Sequence, residues 1–210
     1  MPSLLQSQAG PALAGNNTPL ALRSGTYGDL ITSELHGRYY EATKQGTMFN
    51  GGIVGQVTTV GLTTTYTGLC LSNSIGSVKN LVLNKVGFAF TVAFPAGAFV
   101  GLMTGYSPSV AVTHTTPVTP RSQLFGTGVA GVGLLDSSAT LSVAPTINTI
   151  FGAGLTGAIT TTPMGLAGVV DMEGSIILPP GAFVAIYTST VSGAAGGAFS
   201  FQWEEVSNQY

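Results

Sequence analysis

A hydrolase that works through paired acids needs two carboxylates brought together at one bond. From Gly51 onward the chain offers Asp136, Asp171, Glu173, Glu204 and Glu205. Asp171 and Glu173 stand two apart, so on a strand they share a face. The same spacing suits a solvent-facing strand edge, where acids discourage other strands from pairing, and that is the reading adopted. Nucleophilic catalysis has less to draw on. His36 and His114 lie far apart, no Gly-x-Ser-x-Gly elbow occurs, and Gly68-Leu69-Cys70-Leu71-Ser72 is not a catalytic cysteine setting. Two separated histidines and one cysteine make no zinc spacing. Gly126-Thr127-Gly128-Val129-Ala130-Gly131 imitates a phosphate cradle but is followed by no Lys-Ser/Thr and no strand-to-helix context. Both histidines therefore read as structural, Cys70 as a small buried hydrophobe, and the chain as a protein without enzymatic activity, cofactor or metal.

Trp203 could be an aromatic platform for a sugar. In Phe201-Gln202-Trp203-Glu204-Glu205-Val206, however, Phe201 and Trp203 fall on one face by the period of two, and Gln202 and Glu204 on the other. A core tryptophan on the closing strand is the expectation.

Composition narrows the classes further. Charged residues make up 7% of the 210 residues, where roughly 25% is usual. There are six basic and eight acidic residues, fourteen in all, with a net charge of −2. Clustered Lys and Arg are the footprint of nucleic-acid binding, so no direct nucleic-acid contact is expected. The apolar fraction of 44% is ordinary and Gly alone contributes 30 residues. A monomer so poor in surface charge would be sticky, which points to a chain that lives among other subunits. The start, Met1-Pro2-Ser3-Leu4-Leu5-Gln6, lacks the basic and apolar regions of a signal peptide, so synthesis in a cytoplasm is expected. Phe88 to Gly105 carries no charge, but Pro95, Gly97 and Gly101 interrupt it, and its β-branched and aromatic residues suit buried strands better than a membrane helix.

The elements that must position these residues are strands. Met1 to Leu22 holds no charge and no regular apolar period, and reads as an extended arm. Tyr27 to Phe49 holds Asp29, Glu34, Arg38, Glu41 and Lys44, and reads as extended, with Glu34, His36, Arg38 and Tyr40 alternating along one face. Beyond Gly51, short runs of Val, Ile, Thr and Phe punctuated by turn residues predict strands at 54–60, 65–71, 80–86, 88–94, 98–104, 139–143, 169–178, 182–188 and 198–206. The stretch 107–167, with five prolines, reads as long loops. The expected division is an arm over 1–50 and a single β domain over 51–210.

One internal match stands out. Pro95-Ala96-Gly97-Ala98-Phe99-Val100-Gly101-Leu102-Met103-Thr104 aligns without gaps to Pro179-Pro180-Gly181-Ala182-Phe183-Val184-Ala185-Ile186-Tyr187-Thr188. Pro presets φ, Gly accepts a positive φ, and the apolar run returns as a strand. Two hairpins related by an approximate twofold are predicted, as suits an all-β sandwich of the jelly-roll type with an extended N-terminal arm.

Several segments carry a resemblance: Gly28-Asp29-Leu30 through Ser33-Glu34-Leu35-His36-Gly37-Arg38-Tyr39-Tyr40-Glu41, then Thr65-Tyr66-Thr67-Gly68-Leu69-Cys70-Leu71-Ser72-Asn73, and Asp171-Met172-Glu173-Gly174-Ser175-Ile176-Ile177-Leu178-Pro179-Pro180-Gly181 with Trp203-Glu204-Glu205-Val206. Together they resemble uncharacterised virion-associated structural proteins of tailed bacteriophages. The resemblance implies a capsid decoration or cement protein, located in the virion and made in the host bacterial cytoplasm. Its partners would be the major capsid protein and copies of itself, with no membrane and no small-molecule substrate. A neck, tail or receptor-binding component that recognises carbohydrate is the alternative, with Tyr106, Tyr187 or Trp203 as its platform. On the cement reading, the first fifty residues form a clasp whose register is set by Asp29, Glu34, His36, Arg38, Glu41 and Lys44 through complementary charge.

Overall fold

Runs of Val, Ile, Phe and Thr form stable strands only when their backbone groups are paired and one face is covered. The computed structural model achieves both, with eleven strands and one helix of a single turn among the described residues. It describes residues 37–59, 61–126, 128–154, 166–192 and 196–208. The chain divides into two units, Met1–Tyr40 and Glu41–Tyr210.

The elements are α1 (Tyr40–Lys44), β1 (Met48–Gln56), β2 (Thr65–Asn73), β3 (Lys79–Phe90), β4 (Ala98–Tyr106), β5 (Thr113–Val118), β6 (Arg121–Ser122), β7 (Gly133–Thr140), β8 (Thr146–Gly154), β9 (Ala167–Leu178), β10 (Ala182–Thr188) and β11 (Gly197–Ser207). A five-stranded sheet has the order β6-β1-β11-β3-β9, and a six-stranded sheet the order β5-β7-β2-β10-β4-β8. Every pairing is antiparallel.

The two sheets enclose one apolar core. Phe49, Leu81, Leu83, Val86, Phe199, Phe201 and Trp203 enter it from the five-stranded sheet, and Leu69, Leu71, Val100, Leu102, Val184 and Ile186 from the six-stranded one. Trp203 is fully buried and stacks with Phe49 at 6.2 Å, as the alternation along β11 requires. A second cluster, including Tyr66, Cys70, Met103, Phe183 and Tyr187, lies on the other face of the six-stranded sheet. Every residue of β10 is consequently buried.

The repeated Pro-x-Gly segments do not make hairpins. The chain leaves the five-stranded sheet at the end of β3 and enters the six-stranded sheet at β4; it makes the same crossing from β9 to β10. Each strand of the would-be hairpin pairs instead with its counterpart in the other copy. β3 lies against β9 and β4 against β10. The turns also differ: Ala182 donates to the Pro179 carbonyl at 3.0 Å around Gly181, whose φ is +89°, whereas Gly97 has no positive φ. The shared residues thus specify the corner and return strand, not one turn type.

Other expectations shift. Tyr40–Lys44 is helical rather than extended, and Met48 and Phe49, expected in the arm, open β1 and are wholly buried. The strands expected at 80–86 and 88–94 are one, ending at Phe90, and the strand expected at 54–60 ends at Gln56. The stretch 107–167 contains β5, β6, β7 and β8. Pro117 hid β5, yet β5 edges its sheet, where a missing N–H costs no ladder bond. Residues 1–36, which hold most of the expected arm, lie outside the described residues. Among the described residues no helix is long and apolar enough to cross a membrane. The charge-free run Phe88 to Gly105 is divided between β3 and β4.

Candidate functional site

Of the six residues expected to set register with a partner, Asp29, Glu34 and His36 lie outside the described residues. Arg38 is exposed, with its guanidinium carbon 5.5 Å from the centre of the Tyr39 ring. Glu41 and Lys44 are exposed in α1, the acid in its first turn and the base in its last. That arrangement follows the polarity of the helix.

The paired acids Asp171 and Glu173 fall where a strand edge would put them. Among the described residues β9 is an edge strand, and both side chains are exposed. They do not share a regular face: between the pairs Lys85↔Asp171 and Leu83↔Ile176 the strand bulges. Glu173 and Gly174 have φ of +50° and +75°, and an oxygen of Asp171 accepts the Glu173 N–H at 3.0 Å. Asp171 therefore shapes a bulge that interrupts the free edge, a usual defence against unwanted strand addition.

The two other acids with clear roles are buried. Glu205 follows Phe201 and Trp203 on the core face of β11, and is 1% exposed. Its Oε1 accepts the N–H groups of Val132 and Gly133 at 2.7 and 2.9 Å and that of the Trp203 indole at 3.4 Å. Lys79 contacts Oε2 at 3.2 Å. Glu205 thus fastens the segment entering β7 to the end of β11. Glu204, on the opposite face, accepts from the Thr47 hydroxyl at 3.2 Å.

Asp136, wholly buried in β7, meets His114 Nδ1 of β5 at 2.6 Å through Oδ2, while Oδ1 has no hydrogen-bond partner among the described residues. Opposite it on β2 stands Cys70. Burial, and secondarily the charge of Asp136, push the Cys70 thiol well above its ordinary range. A thiol held in that state is a poor nucleophile. Tyr66 is pushed up by burial and by Cys70, opposed by the bond its hydroxyl donates to the Ile186 carbonyl at 2.7 Å. His114 and Asp136 thus tie an edge strand to its neighbour, in keeping with the structural reading of His114.

The described surface includes an open trough and a cleft. An open trough of about 580 Å³ on the five-stranded sheet is floored by Gly52, Gly87, Ala89, Ala167, Ala198 and Ser200, between the exposed Val54 and Val169. A cleft of about 440 Å³ lies between β4, β8, β9 and β10, lined by Thr104, Tyr106, Thr146, Asn148 and Ser175 above apolar residues. Of the three aromatic residues considered as a sugar platform, Trp203 and Tyr187 are buried and Tyr106 is 56% exposed.

Sequence reasoning missed the roles of Glu205 and Asp136. For Glu205 the signal was present, since the period of two that put Phe201 and Trp203 in the core puts Glu205 there also. Asp136 gave none, because its strand was read as loop. Compared with known proteins, the chain matches no family model, no curated protein and no solved structure.

Proposed function

We propose that this chain is a structural protein of a tailed-bacteriophage virion, a capsid decoration or cement protein that stabilises the head shell through contacts with the major capsid protein and with copies of itself. The observation that carries the reading is the strand order. With β5, β6 and β7 set aside as an insertion, β1-β11-β3-β9 faces β2-β10-β4-β8. Numbered one to eight along the chain, first, eighth, third and sixth face second, seventh, fourth and fifth, the order of a jelly roll, a fold common in viral shells.

Surface chemistry supports the same reading. From Gly51 onward the charged residues are Lys79, Lys85, Arg121, Asp136, Asp171, Glu173, Glu204 and Glu205, and Asp136 and Glu205 are buried. Val54, Phe99, Phe125 and Val169 are all more than half exposed. Such a surface gains by being covered. Its function is non-catalytic, and the segment ahead of Met48 acts as a clasp on neighbouring subunits, with Asp29, Glu34, His36, Arg38, Glu41 and Lys44 setting register.

Copy number tests the assignment. Gel densitometry of purified particles should find hundreds of copies for shell cement; a dozen or fewer would move the protein to neck or tail. The clasp is tested by deleting residues 1–22, which should abolish binding to empty capsids; unchanged binding refutes it.

A second reading, a receptor-binding component, is favoured by one observation: the exposed Tyr106 borders a cleft lined by hydroxyl and amide groups and no charged side chain. Aromatic faces with neutral polar neighbours suit an uncharged sugar. Specific signal on a glycan array, lost in Tyr106→Ala, would support it.

A further inference from the structure

The outward-facing residues of the five-stranded sheet fall in rows across its strands. Phe49, Phe201 and Val86 turn into the core, so the period of two turns Asn50, Gln202 and Lys85 outward. The register joins these in one row: Arg121 of β6 pairs with Asn50, Asn50 with Gln202, Gln202 with Lys85, and Lys85 with Asp171 of β9. The next row is Gly52, Ser200, Gly87 and Val169. Between the two rows lies a hollow of about 290 Å³ lined by Asn50, Lys85, Gln123, Ser200 and Gln202. It adjoins the trough, with which it shares Gly87, Val169 and Ser200.

The hollow gathers polar groups that have no work within the chain. Asn50, Gln123 and Gln202 are half-buried. Among the described residues their side-chain amides have no hydrogen-bond partner, and neither has the Ser200 hydroxyl. Covering such amides with an apolar partner would be costly. Each offers an acceptor oxygen and two N–H donors side by side, which neighbouring hydroxyl groups, each both donor and acceptor, can satisfy together. Beside them Gly52, Gly87, Ala89 and Ala198 keep the trough floor low, so the C–H faces of sugar rings can rest on it between Val54 and Val169. The small floor admits many ligands; the amides select among them. Nucleic acid would call for clustered cations, and a protein partner for aromatic or aliphatic anchors at the centre. The lining holds one cation, Lys85, and that residue stands opposite the acid Asp171.

We infer that this face of the five-stranded sheet binds a neutral polysaccharide, whose hydroxyls bond to Asn50, Gln123, Gln202 and Ser200 while its rings lie along the trough. The site is separate from the Tyr106 cleft. It is also independent of the capsid assignment, which copy number decides whether or not the protein holds a glycan.

The test is affinity electrophoresis of the full chain through native gels containing dextran, galactomannan or β-1,3-glucan, with alginate as the acidic comparison. Wild type should be retarded in at least one neutral gel. Asn50→Ala and Gln202→Ala should each weaken the affinity about tenfold, with the melting curve of wild type, since neither side chain bonds to the described protein. Ala89→Leu, which raises the trough floor, should weaken it as well. Val110→Ser, at a residue 52% exposed and outside both the trough and the cleft, should be retarded like wild type. No retardation in any neutral gel, retardation by alginate alone, or retardation unchanged by Asn50→Ala and Gln202→Ala would each overturn the inference. Retardation abolished by Tyr106→Ala but not by Gln202→Ala would put the sugar in the cleft, overturning this site and leaving the receptor-binding reading standing.

Discussion

Leu102 and Ile186 occupy the same place in two copies of one sequence repeat, and in the folded chain each is the other's partner across the ladder between β4 and β10. Both are fully buried in the main core. Truncating either empties part of the same volume. Leu102→Ala and Ile186→Ala should each lower unfolding free energy by about 2–5 kcal/mol in urea titrations. Because the side chains adjoin, the double variant should lose measurably less than the sum. Strict additivity would mean that the two side chains do not share packing.

Glu205 supports the chain by accepting bonds, so variants should rank by what they leave unpaired. Glu205→Gln retains an acceptor oxygen for the Val132 and Gly133 N–H groups but gives up the contact with Lys79, which is 36% exposed. Glu205→Ala strands the amides and the Trp203 indole, at about 1–3 kcal/mol for each group left buried and unsatisfied. Thermal denaturation should therefore place alanine well below glutamine, with faster amide exchange at Val132 and Gly133 in the alanine variant. Equal stability of the two variants would contradict the clamp.

Legibility followed the period of two. Where a strand buries one face and alternates, as in β11, Phe201 and Trp203 could be assigned to the core from the sequence, and Glu205 with them. Where pairing alone makes the strand, alternation says little. β8 reads as Thr, Asn, Gly and scattered apolar residues, and β5 contains Pro117, so both resembled loop. The repeat was legible as a repeat. That its strands would pair copy to copy across two sheets was not, since Pro-x-Gly fixes a change of direction and not which strand receives the chain afterwards. The trough and the cleft depend on strands far apart in the chain, which no local spacing encodes.

Cys70 should give stability a dependence on alkaline pH. Burial raises the folded thiol above its ordinary value of 9.0, so the folded state holds a proton that the unfolded state releases. The contribution is complete below about pH 9 and declines as pH rises further. Tyr66, raised from 10.0, adds a second decline beginning about one unit higher. Urea midpoints measured from pH 7 to 11 should fall in wild type, and the part that begins near pH 9 should vanish in Cys70→Ala. The native thiol should also react with Ellman's reagent only at the rate of unfolding. Rapid labelling of native protein would mean that Cys70 is accessible.

Asp171 and Glu173 should matter for keeping the molecule from sticking along β9. Asp171 accepts the Glu173 N–H and holds the bulge, and both carboxylates project from an otherwise apolar edge where Val169 and Ile177 are 73% and 51% exposed. Asp171→Ala with Glu173→Gly removes both charges while supplying a residue that tolerates the φ of +50° at position 173. The fold should persist, with a circular-dichroism spectrum like wild type, because the changes are at the surface and the β3 ladder flanks the bulge on either side. Light scattering should rise faster on warming than in wild type, since the edge has lost its gatekeepers. Scattering that rises no faster than in wild type would show that the bulge alone, without its charges, protects this edge.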